Sequence, residues 1–289
     1  MVNQHWKLVL YTGENTHLGI ARTMTEWHAR DYARQSSLQH AMAQEQLALL
    51  AMEGGERVLD VGCGDGKITA EIAARLPRGS VLGVDPSRDM IEFASSHCSP
   101  RRAPPAHANL LFAVADVRHL PYRHEFDLVV SFNALHWVPE QEAALASMHA
   151  VLRPGGRALL RFVPQGQRKS LEDVIEEVRL RPRWAQLFGG FAKPYVHATP
   201  EDYRLLALRC GFQVQRLEVK DKAWDFKTRD AFVAFGLATF VEWTRCIPQS
   251  EWPTFICEVL DLYESVAADG PQEANTFKFY QLELLLQAT

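Results

Sequence analysis

Between residues 57 and 163 the apolar positions follow two interleaved patterns. Short, nearly unbroken apolar runs recur at Arg57–Val61, Ser80–Val84, Leu110–Ala115, Phe126–Ser131 and Arg157–Val163. Runs of that length, bounded by turn residues, read as strands buried on both faces. Between them, Lys67–Leu76, Ser87 to about Ser96, and Glu140–Leu152 carry helical spacing. Pro77-Arg78-Gly79 stops the first helix, Ser87 caps the second, and Arg153-Pro154-Gly155-Gly156 ends the third in a tight turn. This alternation predicts a doubly wound α/β fold, with a mostly parallel sheet and helices on both faces.

The flanks differ from that core. Residues 1–36 are mixed in character, and Ser37 to about Met52 predicts a helix with Leu38, Met42, Leu49 and Leu50 on its apolar side. Ser99–Pro105 reads as a proline-broken loop. Residues 169–200 are helix-prone and rich in aromatics. Glu201–Cys210, stopped at Gly211, predicts a helix leading into a strand at Gln213–Val219. Residues 227–268 predict two helices broken at Ile247-Pro248, and Thr276–Gln287 a closing strand. The expected organisation is an N-terminal segment or lid at 1–36, a core at 37–163, a helical cap insertion at 164–200, a core helix and strand at 201–223, a second helical cap at 224–272 and a closing strand at 273–289.

Composition narrows the function classes. With 289 residues, 47% hydrophobic and 23% charged, the chain is an ordinary globular protein with enough length for a large core. A net charge of −4 without a basic stripe argues against a nucleic-acid partner. Five scattered cysteines in no ligand spacing predict free thiols and no metal site. The N-terminus lacks a signal-like apolar run, and the uncharged run Ala231–Val241 is too short for a bilayer, which needs about 20 residues. A cytoplasmic protein with no membrane partner, monomeric or homodimeric, is expected.

The strongest chemical signal is Val58-Leu59-Asp60-Val61-Gly62-Cys63-Gly64-Asp65-Gly66. A glycine turn between strand and helix lets backbone approach a nucleotide-like ligand. The dinucleotide pattern needs glycine at 67, where Lys67 stands. The acid at 60 is awkward beside a pyrophosphate and suits a ligand with an ammonium group. Asp85, at the end of the second strand, can accept from both hydroxyls of a ribose. Asp116 ends the third strand and could accept from an adenine amino group.

These motifs, in this order, resemble the class I S-adenosylmethionine-dependent methyltransferases, together with the turn Leu152–Gly156. The resemblance implies a Rossmann-like sheet of seven strands, the last antiparallel, and S-adenosyl-L-methionine as cofactor, leaving as S-adenosyl-L-homocysteine. It assigns Asp60, Gly62, Cys63 and Gly64 to the amino-acid end of the cofactor, Asp85 to the ribose and Asp116 to the adenine, with Pro86, Met90, Val117 and Asn133 completing the site.

Two segments bear on the acceptor. Tyr32–Gln39 and Phe132–Trp137 resemble juvenile hormone acid methyltransferases, and Phe191–Tyr195, Gly211-Phe212 and Phe277–Phe279 continue that similarity. Glu26-Trp27, Tyr32 and Trp137 are also similar to trans-aconitate methyltransferases. Both families methylate carboxylates, and the first implies that Gln39 and Trp137 hold the acceptor carboxylate. The bland readings are Trp137 packed under the cofactor and Gln39 facing solvent. A carboxylate is ionised at neutral pH and needs no general base, whereas a phenol or alcohol acceptor would call on His136. Tyr32, Trp184 and Tyr195 are expected to line the acceptor pocket.

The expected reaction is therefore methyl-ester formation on a small carboxylic acid, an apolar, isoprenoid- or fatty-acid-like one first. Trans-aconitate would require cations such as Arg161, Arg181 or Arg183. A malonyl carrier, as in the biotin-pathway enzymes the chain also resembles, would require a basic surface at Arg101-Arg102 or Arg179–Arg183. Phenol or carbon acceptors and a non-catalytic cofactor-binding protein are the remaining alternatives.

Overall fold

The structure, a computed structural model, describes residues 29–35, 37–98 and 109–289. The N-terminal extension (residues 1–26), Glu26-Trp27, and the proline-broken loop with Arg101-Arg102 lie outside the described residues.

Seven strands form one sheet in the order β3-β2-β1-β4-β5-β7-β6: β1 Arg57–Val61, β2 Ser80–Asp85, β3 Leu110–Val114, β4 Phe126–Phe132, β5 Leu152–Phe162, β6 Phe212–Asp225 and β7 Thr276–Ala288. The first five pair in parallel, and β7 runs antiparallel to both β5 and β6. Every residue of β2 is buried, as a strand covered on both faces requires. The turn Arg153–Gly156 is looped out within β5, where pairing jumps from Phe126↔Leu152 to Leu128↔Arg157 and Gly155 takes φ +76°. The parallel core thus has the expected doubly wound topology, its strand order reversing between β1 and β4.

The helices are α1 Ala29–Gln35, α2 Ser37–Leu49, α3 Lys67–Ala74, α4 Arg88–His97, α5 Gln141–Val151, α6 Leu171–Arg179, α7 Pro200–Arg209, α8 Arg229–Thr239, α9 Val241–Thr244 and α10 Trp252–Ala267. Ser87 caps α4 by accepting from the Met90 N–H at 3.2 Å. Among the described residues no helix is long and apolar enough to cross a membrane, and no group of side chains could hold a metal ion.

Three expectations are corrected. The strand predicted at Gln213–Val219 continues to Asp225, because β7 supplies partners out to Asp225↔Thr276 although Lys220–Lys222 breaks the apolar pattern. That edge strand presents charge to solvent, a protection against edge-to-edge pairing. The segment 169–200 is helical only in α6 and a short 3-10 turn at Ala185–Phe188, since Pro182, Gly189, Gly190 and Pro194 interrupt it. The helices of 227–268 break at Phe240 as well as at the predicted Ile247-Pro248, which separates α9 from α8.

Two packed layers of Val, Leu and Ile cover the sheet faces. The cap has a core of its own, dominated by aromatics: Trp184, Phe188, Tyr195, Phe232, Trp243 and Phe255 pack with Phe277 and Phe279 of β7. The cap is therefore continuous with the sheet through β7.

Candidate active site

A cavity of about 240 Å³ opens at the carboxyl ends of β1, β2 and β4, between the sheet and the cap, far larger than the single-water spaces of a packed core. This is the crevice where the strand order reverses, the usual ligand position of open α/β sheets. Its floor is the glycine turn after β1. Gly62 and Gly64 adopt φ +73° and +53°, which an L side chain rarely takes. Gly62 and Cys63 donate their N–H groups to the Val84 carbonyl at 2.8 and 3.1 Å, tying the turn to β2. A Cβ on Gly62 would collide with that of Ala134, so glycine is required for the close approach of the turns after β1 and β4.

Asp85 ends β2 on the cavity wall, 8% exposed, accepting from the Gly64 N–H at 3.1 Å and the Ser87 N–H at 2.9 Å. Pro86, Met90 and Val117 line the same end, with Asn133 on the turn after β4 at φ +57°. Tyr32, from α1, closes this end from above; burial and the neighbouring Asp65 and Asp85 carboxylates raise its phenol, which stays neutral. Lys67, where the dinucleotide pattern requires glycine, pairs with Asp65 at 2.9 Å and donates to the Ala33 carbonyl at 2.7 Å, joining α3 to α1.

Three residues expected at the cofactor sit behind this wall. Asp60 is 2% exposed beneath the glycine turn and accepts from Thr69 Oγ1 at 2.6 Å. Burial raises its carboxyl to about 7, against the Thr69 bond and with help from the Asp85 charge. Cys63 is buried, and burial with the nearby Asp85 and Asp60 carboxylates pushes its thiol well up, so it is an inert packing group. Asp116 is bound by Arg118, whose Nε and Nη2 lie 3.0 and 2.6 Å from its two oxygens. Burial there works against ionisation, but the Arg118 bonds hold the carboxyl below its ordinary range. It is Arg118, with Ala115 and Val117, that faces the cavity.

The same cavity brings together Gln39 of α2 with His136 and Trp137 after β4, residues almost a hundred positions apart. Oε1 of Gln39 and Nδ1 of His136 are buried without a hydrogen-bond partner. Burial, with His197 nearby, lowers the His136 imidazole well below its ordinary value, so it is neutral at working pH. The remaining wall is mainly apolar, with Met42, Leu171, Ile175, Phe235, Phe240 and Phe279, and carries Glu172 and the ion pair Glu242–Arg245 at 2.7 Å.

Trp184 and Tyr195 do not line it. Trp184 is 1% exposed in the cap core, edge-on to Phe255 and donating to Glu258 at 2.9 Å. Tyr195 is 2% exposed, donates to Asp173 at 2.7 Å, and backs Trp137 and Trp243 one layer behind the wall. Both are aromatics whose polar edge finds a carboxylate partner inside the cap, a structural use of such residues. Sequence reasoning missed Glu172 and Arg245, which carry no local motif and reach the site only through the docking of α6 and α9.

A family model described as "Methyltransferase domain" matches residues 58–156. The chain is 28% identical over 225 residues to a trans-aconitate 2-methyltransferase of Variovorax paradoxus, covering 77% of this chain and 79% of that one. It is 30% identical over 189 residues to a malonyl-[acyl-carrier protein] O-methyltransferase of Geobacter sulfurreducens, covering 64% of this chain and 67% of that one. A solved structure from Bacillus halodurans shares the fold, with a TM-score of 0.61 at 16% identity, covering 86% of this chain and 100% of that one.

Proposed function

Because the chain belongs to the class I S-adenosylmethionine-dependent methyltransferases, we propose that it methylates the carboxylate of a small, mainly apolar acid, giving a methyl ester. The observation that carries this reading is the meeting of Gln39 and Trp137 on one cavity with the glycine turn and Asp85. The residues suit the cofactor. Gly62 and Gly64 carry the turn through positive φ on the cavity floor, and the buried Nδ2 of Asn133 has no hydrogen-bond partner. Gly62 and Gly64 would hold the amino-acid end over Asp60, Asp85 the ribose, and Val117 the adenine. When bound, S-adenosylmethionine supplies an electrophilic methyl on sulfonium and leaves as S-adenosylhomocysteine.

The chain's own contribution is positioning and exclusion of water. An acceptor carboxylate is already ionised, so no proton has to be removed. The Gln39 amide can turn to present its N–H groups where its Oε1 now lacks a partner, and the Trp137 indole offers a second neutral donor. Neutral donors orient an oxygen without the fixed charge of a salt bridge, leaving it nucleophilic. His136, whose imidazole is held well below its ordinary range, is a poor base, which also favours an acceptor that needs none.

The cations considered for other acceptors are engaged elsewhere. Arg161 is fully buried off the cavity, bonding the Met42 carbonyl and pairing with Glu45 and Glu283, each at 2.9 Å. Arg179, Arg181 and Arg183 pair with Glu176, Glu258 and Glu251, which weakens a basic carrier-docking face there.

Labelled S-adenosylmethionine tests the reading against isoprenoid acids, medium-chain fatty acids, trans-aconitate, a malonyl carrier and phenols. The expected product is an alkali-labile ester of an apolar acid. Gln39→Ala and Trp137→Ala should each lower kcat/KM for that acid by about tenfold or more. Turnover of phenols alone, lost by about 10²–10⁴-fold in His136→Ala, would overturn it.

A further inference from the structure

We propose that Glu172 sets the acceptor class of this cavity, rejecting acids that carry a second carboxylate and confining methylation to monocarboxylates. The inference rests on the carboxyl-methylation reading above. Glu172 stands in the first turn of α6 on the cavity wall, with its side chain 13% exposed. It is not the residue that caps that helix. The capping box is made by Ser170 and Asp173, whose side chains bond each other's backbone N–H groups. The first turn of a helix favours negative charge, so α6 supports a carboxylate at this place.

The partner nearest Glu172 is Nε2 of His197, at 4.0 Å. Burial lowers the His197 imidazole, and the neighbouring carboxylates of Glu172 and Asp173 only partly oppose this, so it brings no full positive charge. Of the other charged groups on the wall, the Asp85 carboxylate accepts from the Gly64 and Ser87 N–H groups at the glycine turn, and the two arginines are matched by short ion pairs. Arg245 meets Glu242 at 2.7 Å, and Arg118 meets Asp116 and Glu140 at 2.6 and 2.7 Å. Among the described residues, Glu172 thus lies on the cavity wall without a short ion pair, on a lining shared with apolar residues such as Leu171, Ile175 and Phe235.

Position makes this selective rather than inhibitory. His197 approaches Glu172 to 4.0 Å by its Nε2, its ring centroid is 6.0 Å from that of His136, and Trp137 follows His136 in the chain. A monoacid places its one charge at the Gln39–Trp137 end. A diacid must bring its second charge towards Glu172 or bury it among aromatics, and like charges so juxtaposed are costly in a poorly solvated site. Such a repulsive element is how a site discriminates between ligands that share the same reacting group.

The test uses the full chain with S-adenosylmethionine and three acids of equal chain length, ending in methyl, hydroxyl or carboxylate. Methyl ester is quantified by mass spectrometry as kcat/KM. The diacid should fall at least about tenfold below the methyl-ended acid, and the hydroxy acid should lie closer to the latter, separating charge from polarity. In Glu172→Gln the diacid-to-monoacid ratio should rise about tenfold, while Glu172→Asp, which keeps the charge, should hold it low. Equal use of diacid and monoacid by the unaltered chain, or a ratio unmoved in Glu172→Gln, would overturn this proposal alone. Absence of ester from every acid would overturn the carboxyl reading, and this proposal with it.

Discussion

The side-chain amide of Gln281, fully buried in β7, donates from Nε2 to Oδ1 of Asn133 at 3.2 Å. The two residues are 148 positions apart, and the bond crosses from the cap-side strand to the turn after β4. Asn133 is held by its backbone as well, its N–H donating to the Arg161 carbonyl at 2.7 Å. Receiving at Oδ1 leaves Nδ2 buried and unpartnered, the donor proposed above for the cofactor.

Gln281→Leu should therefore weaken S-adenosylhomocysteine binding by about fivefold, the worth of one neutral hydrogen bond of roughly 1 kcal/mol. Gln281→Glu should weaken it further, because an acceptor facing Oδ1 turns the Asn133 amide over. Calorimetric titration checks both. Affinity unchanged from the unaltered chain in both variants would disconnect Gln281 from the site.

Asp60 predicts a proton-coupled cofactor. Its folded carboxyl titrates at about 7 rather than the ordinary 3.8, because burial disfavours the charge. The folded state thus holds a proton that the unfolded state has lost, so this group's contribution to stability declines as pH rises through that window and levels off above it. An ammonium ligand favours the ionised form. Affinity for S-adenosylhomocysteine should rise between about pH 6 and 8, with release of up to one proton, and both effects should vanish in Asp60→Asn. Titrations in buffers of different ionisation enthalpy measure the proton count, and zero release at pH 6.5 would refute the coupling.

Gly62→Ala should abolish cofactor binding and lower Tm. Two separate causes act, the positive φ and the collision with Ala134. The double variant Gly62→Ala with Ala134→Gly removes the collision but not the backbone cost of about 1–2 kcal/mol. It should recover part of the Tm loss, and full recovery would mean that φ matters little here.

Trp184 and Tyr195 should report on stability instead of acceptor affinity. Trp184→Ala removes a fully packed indole and should cost about 3–5 kcal/mol in chemical denaturation. Tyr195→Phe loses a bond to a carboxylate and should cost about 1.5–3 kcal/mol. If Tyr195→Phe instead raised KM for the acid with stability intact, the residue would belong to the pocket after all.

The parallel core was readable nearly residue by residue. Arg57–Val61 matches the predicted strand at both ends, and Ser87 caps α4 as its position before the helix suggested. Local patterns suffice there, because a strand covered on both faces needs a continuous apolar run and a helix start needs its cap. The cap was less legible. Phe240 breaks α8 from α9 without a proline or glycine, and Trp184 has the same composition signature whether it packs a core or lines a pocket.

The amino-acid sequence by itself determined the doubly wound sheet, the glycine turn and the acid ending the second strand, because each depends on the backbone conformations and burial of adjacent residues. Tertiary structure alone decided which side chains share the cavity. It brought Gln39 to His136 and Trp137, set Glu172 on the cavity wall, and withdrew Trp184, Tyr195 and Asp116 into structural contacts. The physical reason is that cavity membership depends on how α2, α6 and α8 dock on the sheet. Docking is fixed by the summed packing of many distant apolar residues, and no short segment carries that information.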